Sequence, residues 1–345
     1  MVTIKDIAEM VGTSTTTVSN VLHGKLNKVS KETVEKVQRV IEEQNYVLPM
    51  GTSRLTAKRS QIIGVVIWES LHYDTSILAD PFYATVVGAL ERVISNAGYY
   101  MMLYSSRYMD DIYRMARAWN VDGLITLTFN YEQYQGLTAM VKKPVVAIDL
   151  SGNISGDIRK RVYDVGIADE EGGYLMTQYL IRCGFEKIFI LANTDRAANH
   201  LRYRGYLRAL QEAGLPNKRE NFVLLSDYRE ARMENYERLL ERMDKDCALF
   251  FTADRLAIEA MGYFQRKGIK IPEELSIAGY DDINVASMMM PALTTVRQNV
   301  SQKGRMAAQM LLDILDGKPV EENYVMLPVN LCIRESVRDK RRRNF

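Results

Sequence analysis

The chain has 345 residues, 47% hydrophobic and 26% charged, with a formal net charge of +2, so two or three packed units are expected rather than one simple core. Its apolar runs are strand-length and its opening, MVTIKDIAEM, carries an early acid and no apolar secretory segment, which points to a cytoplasmic chain with no membrane partner. Three scattered cysteines and three scattered histidines give no disulfide framework and no zinc spacing, so no metal is expected.

Charge is unevenly spread. Residues 1–60 hold nine Lys/Arg against six Asp/Glu, a net +3 that leaves −1 for the rest. Thr3 with Asp6 three residues later forms a capping-box pattern. Ile4, Ile7, Ala8 and Val11 then make one helical stripe that ends at Gly12. Ser14 opens a second short helix whose buried stripe is Val18, Val21 and Leu22. Two helices joined by a short Gly-containing turn make a helix-turn-helix. The other face of the second helix presents Thr15, Thr16, Ser19, Asn20 and His23. Hydroxyls and an amide suit base edges, since Asn pairs bidentately with adenine and Thr meets the thymine methyl. A third helix starts at Ser30 and closes a small core through Val34, Val37, Val40 and Ile41. Lys5, Lys25, Lys28 and Lys31 lie where they can meet phosphates, which positions a protein on DNA without specifying sequence.

The run TIKDIAxxVGTSxxTVSNVLHG, from Thr3 to Gly24, resembles the headpiece of the lactose/galactose repressor family, and the resemblance continues to the C-terminus. It implies a transcription regulator that binds a pseudo-palindromic double-stranded operator as a homodimer. Residues 47–61 form the linker. Pro49 and Gly51 break regular structure there, while the resemblance implies a hinge helix in which Leu55 wedges into the minor groove. Pro49, Gly51 and Thr52 depart from the family pattern, so Leu55 reads equally as a hinge residue or as part of a plain linker.

From Ile62 onward apolar runs alternate with helical patterns. Strands are expected at 62–68, 99–104, 123–127, 145–148, 187–191, 222–225, 248–252 and 275–278. Repeated βα units imply parallel sheets covered on both faces. The expected architecture is therefore a headpiece (1–46), a hinge (47–61) and a two-lobed, periplasmic-binding-protein-like α/β body (62–340), with a basic tail at 341–345. A Gly- and Ser-containing break at 151–161 divides the lobes, giving an N-lobe of about 62–160 plus 286–325 and a C-lobe of about 161–285 plus 326–340.

Ligands of open α/β sheets sit beyond the carboxyl ends of the strands. Trp68, Asp149, Tyr228 and Asp281 fall at such ends, and acids with aromatics suit a polyhydroxylated ligand. The resemblance implies effector contacts at Asp149, Arg202 (in RYRGY), Tyr228, Asp281 (in AGYDDI) and Gln298 (in PALTTVRQ). Trp68 and Phe82 read equally as pocket rings or as core. Ala253 replaces an Asn frequent in the family and the segment after Trp68 is longer than usual, departures that limit any guess at the ligand; the aromatics Tyr73, Phe82, Tyr83, Tyr104 and Tyr108 favour a sugar, oligosaccharide or glycoside, while a nucleobase stays open. No GxGxxG follows the first strand, and neither a Walker A pattern nor GxSxG occurs, so no enzyme and no cofactor is expected. A sugar-transport protein shares the body but lacks a headpiece, and a protein corepressor is the remaining rival. Effector-driven release from DNA is the expected sense of control.

Overall fold

A computed structural model describes residues 2–22, 24–44, 46, 59–69, 76–243 and 246–341. The chain forms two compact units, 1–60 and 61–345. His23, Leu55 and Tyr73, and nearly all of the expected hinge, lie outside the described residues.

In the first unit, α1 (Ile4–Val11) carries the expected capping box: the Thr3 hydroxyl accepts from Asp6 N–H at 3.3 Å and Asp6 Oδ2 accepts from Thr3 N–H at 2.8 Å. Gly12 takes φ 71°, a left-handed turn that costs a residue without Cβ little. Then α2 (Thr15–Leu22) begins, with Ser14 Oγ accepting from Thr17 N–H at 3.1 Å. Ser30 caps α3 (Lys31–Glu43). Ile7, Ala8, Val18, Val21 and Val37 form the buried core.

The second unit holds two six-stranded sheets. The first, the N-lobe sheet, contains β1 (Ile62–Trp68), β2 (Tyr100–Ser106), β3 (Gly123–Leu127), β4 (Val145–Ile148), β5 (Asp164–Ile167) and β11 (Tyr324–Leu327), in the order β11-β5-β4-β3-β1-β2 and all parallel. The C-lobe sheet has β6 (Lys187–Ala192), β7 (Phe222–Leu224), β8 (Cys247–Phe251), β9 (Ser276–Asp281), β10 (Thr294–Arg297) and β12 (Asn330–Cys332). Its order is β12-β10-β9-β8-β6-β7, with β12 antiparallel. Central strands are buried on both faces, as β1, β3 and β8 are, which is why they read as continuous apolar runs.

The lobe boundaries differ from the sequence expectation. β5 pairs with β4 (Ala147 opposite Asp164) and so belongs to the N-lobe, which moves the first crossing from 160 to about 168. The 151–161 break is only a turn inside that lobe, held by an isolated bridge between Asn130 and Ser151. β10 pairs with β9 and stays in the C-lobe, so the chain returns near 298 rather than 286.

Helices cover the sheets. They include α4 (Pro81–Asn96), α5 (Met109–Ala118), α6 (Tyr131–Val141), α7 (Asp169–Arg182), α8 (Ala197–Glu212), α9 (Arg229–Leu240), α10 (Asp254–Arg266) and α11 (Val300–Leu315). α7 and α8 touch backbone to backbone: a Cβ on Gly205 would stand 1.9 Å from Glu170 O. α11 also lies close against α4, a Cβ on Gly304 falling 3.0 Å from Val86 O. These two contacts fix how far Arg202 on α8 and Lys303 on α11 reach into the body. No helix among the described residues is long and apolar enough to cross a membrane.

Candidate functional site

On α2, Thr15 and Thr16 are exposed and Ser19 and Asn20 half-exposed, opposite buried Val18 and Val21. Lys5 is exposed on α1, and Lys25, Lys28 and Lys31 are exposed beyond α2. The helix therefore presents a short-chain polar face bordered by cations, the composition a major groove accepts.

In the body, the carboxyl ends of β4 and β9 carry Asp149 and Asp281, with φ values of 58° and 121°. Residues held at positive φ cost energy and persist where surrounding contacts fix them. Those contacts form one chain. Lys303 Nζ donates to both oxygens of Asp149, at 2.8 and 2.7 Å, and to Gln298 Oε1 at 2.9 Å. Gln298 Nε2 donates to Asp281 Oδ1 at 2.6 Å. Arg202 Nη1 stands 3.9 Å from that oxygen, while its Nε donates to Asp169 Oδ1 at 2.8 Å. Arg202 also donates to the Thr252 carbonyl and lies 3.6 Å above the Tyr280 ring.

Burial drives the electrostatics. It pushes the Asp281 and Asp169 carboxyls upward against the pull of Arg202. It works against the Arg202 cation, but Asp169, Tyr280 and Asp281 together more than offset this. Burial likewise raises Asp254, which accepts from the Thr295 hydroxyl at 2.6 Å.

Of the other expected residues, Phe82 begins α4 with its ring centroid 5.2 Å from Lys303 Nζ. Trp68 ends β1 half-buried, edge-on to Phe129 at 5.9 Å. Tyr228 caps α9 and is exposed. Four participants escaped the sequence reading: Lys303, Asp169, Asp80 and Arg255. The last two form an ion pair at 3.2 Å between the start of α4 in the N-lobe and the start of α10 in the C-lobe. Lys303 left a visible signal, for it stands in the helical stripe Val300, Gly304, Ala307, Ala308 and Leu311. No group of three or more metal-ligating side chains occurs among the described residues.

Residues 3–48 match the family model described as bacterial regulatory proteins, lacI family, and residues 177–337 match that of a periplasmic binding protein-like domain. The HTH-type transcriptional repressor PurR of Vibrio atlanticus is 31% identical over 98% of this chain and 99% of its own length. The namesake repressor of Photobacterium profundum is 29% identical over the same shares. Among solved structures, the transcriptional regulator CelR–cellobiose complex aligns with a TM-score of 0.71 at 26% identity, covering 97% of this chain and 100% of the other. The lac repressor dimer bound to operator and the anti-inducer ONPF aligns with a TM-score of 0.79 at 23% identity, covering 98% and 99%.

Proposed function

We propose, from the premise that this chain belongs to the lacI family of bacterial regulatory proteins and is one of its DNA-binding transcriptional repressors, that its grip on the operator is set by a neutral polyhydroxylated ligand, a sugar or short oligosaccharide, held between the lobes. The observation that carries this is the pairing of charge. Three cations beside the carboxyl ends of the strands each already face a carboxylate: Lys303 with Asp149, Arg202 with Asp169 and Arg255 with Asp80. An anionic ligand gains little from cations so engaged. Hydroxyl groups, by contrast, can use the remaining lone pairs of Asp149 and Asp281, while Trp68 and Phe82 supply flat apolar faces. Arg202, Gln298 and Tyr228 complete the proposed contact set. The likeness to a regulator solved with cellobiose supports the class.

The headpiece reads base edges with Thr15, Thr16, Ser19, Asn20 and His23, Lys5 meets phosphate, and Leu55 belongs to the hinge. Two copies bind a pseudo-palindromic operator in the cytoplasm, as a symmetric dimer reads symmetric half-sites. A ligand that favours one lobe arrangement shifts the population, and by linkage changes DNA affinity; release on binding is the sense we favour. Whole-length likeness to repressors named PurR favours a second reading, a nucleobase corepressor in the same cleft.

The test selects an operator from random duplexes with the full-length chain. Thermal stability and operator affinity are then measured with glucose, cellobiose, lactose, ribose, glucose 6-phosphate, adenine and guanine. The expected result is an enriched inverted repeat, a neutral sugar that raises the melting temperature, and weaker operator binding with that sugar. Stabilisation by a base alone passes the site to the second reading. Stronger stabilisation by glucose 6-phosphate than by glucose overturns the charge-pairing argument.

A further inference from the structure

We propose that Lys303 is a positioning residue of this cleft, whose ammonium sets the orientation of the Gln298 amide and ties the N-lobe carboxylate Asp149 to the C-lobe carboxylate Asp281. The idea rests on the ligand reading above for its effect on affinity, but its structural part stands apart from it.

Lys303 is fully buried, a place where lysine is rarely found and is tolerated only when paired. An ammonium has three hydrogens to donate. All three have acceptors here: Asp149 Oδ1, Asp149 Oδ2 and Gln298 Oε1. Stability does not account for this choice. A buried ion pair is commonly no more stabilising than apolar residues of similar volume, and the surrounding stripe of α11 would accept an apolar side chain.

What the ammonium does supply is polarity at Gln298. A glutamine amide can point either way, oxygen or nitrogen first. With the oxygen claimed by Lys303, the nitrogen must face Asp281, and it does so at 2.6 Å. Reversed, the amide would set its NH2 against the Lys303 ammonium, donor against donor. Gln298 lies in the segment by which the chain crosses from β10 of the C-lobe to α11 of the N-lobe. The run Asp149–Lys303–Gln298–Asp281 therefore begins on one sheet and ends on the other. The Asp80–Arg255 pair also joins the lobes, but with side chains 17% and 31% exposed it is more open to water and correspondingly weaker.

The experiment compares the wild type with Asp149→Asn/Lys303→Met in the full-length chain, because either substitution alone would leave one charge of the buried pair without its partner. Hydrogen exchange of the 296–301 backbone is measured without ligand, melting temperature is recorded for each, and affinity is measured for cellobiose, lactose and ribose. The double variant is expected to melt close to the wild type. Its crossover segment should exchange about tenfold faster, and any sugar bound by the wild type should bind at least about tenfold more weakly, the loss expected for one hydrogen bond to a charged group. Equal exchange at 296–301 in the two proteins overturns the clamp. If no sugar binds even the wild-type chain, the ligand reading fails, and the exchange comparison still decides the role of Lys303.

Discussion

A carboxyl group sealed inside a parallel sheet either keeps its proton or bears the cost of an unsolvated charge, and Asp164 faces that choice at the start of β5. It is fully buried. Its Oδ1 accepts from Leu150 N–H at 3.1 Å, while Oδ2 has no hydrogen-bond partner among the described residues. Burial, reinforced by Asp149 and opposed by the Leu150 N–H and Lys303, pushes it up to about 8; Tyr134 and Tyr324 also face it. Between its ordinary value of 3.8 and about 8 the native state holds a proton that the unfolded chain has lost. Stability from this group is therefore full below that window and drains away as pH rises through it, at up to about 1.4 kcal/mol per pH unit. Asp164→Asn, which cannot titrate, should show a shallower fall of melting temperature between pH 6 and 8 than the wild type. Parallel curves for the two proteins would show that Asp164 ionises normally. Nothing in the sequence distinguishes this aspartate from a surface one, because its environment comes from strands β4 and β11, the second 160 residues away. Lys303 was the opposite case: its place in an apolar stripe was legible, but its partner Asp149 lies 154 residues off.

At the scale of elements, what could be read locally was read. The headpiece helices are fixed by caps and stripes within a dozen residues, and both the Thr3–Asp6 box and the Ser30 cap are present. The central strands announced themselves as apolar runs. β5, β10 and β12 did not, for they are three or four residues long and carry Asp164, Thr294, Thr295, Arg297 or Asn330, and β11 is an apolar run of only four residues. Such strands are defined by the neighbours they pair with, and those pairings also moved both lobe boundaries. The α2 helix offers a test at this scale, since Asn20 sits on its polar face while Lys5 belongs to α1. Asn20→Ala should relax preference at one base pair by about 1–3 kcal/mol, leaving other positions alone. Lys5→Ala should weaken every sequence alike and reduce the salt slope by about 1. Binding measured over single-base operator variants at two salt concentrations separates the two. A uniform loss from both substitutions would remove Asn20 from the reading face.

For the whole molecule, the question is how one short helix proposed to read bases could secure a specific site, and the proposed pair of copies is the physical answer. On the C-lobe, Val285, Met288 and Met290 are 45%, 75% and 86% exposed within a few residues of one another, and this is where the proposed pairing of copies can be tested. Isolated exposed apolar residues are ordinary, but a contiguous group marks an interaction site, and methionine adapts well to a partner's shape. The group stands on the segment between β9 and β10, with Gln265 of α10 donating to the Met290 carbonyl at 2.7 Å to hold it outward. Met288→Asp/Met290→Asp places two charges on that face without touching Asp149, Asp281 or Lys303. Light scattering should find the variant monomeric. Its affinity for a full inverted repeat should fall roughly 100-fold, toward that for a half-site, as the second headpiece ceases to be delivered by the first. Its thermal response to the sugar that stabilises the wild type should survive, because the cleft lies within a single chain. A variant that remains dimeric moves the interface to another face, whereas one that is monomeric yet keeps full operator affinity would mean that one headpiece suffices.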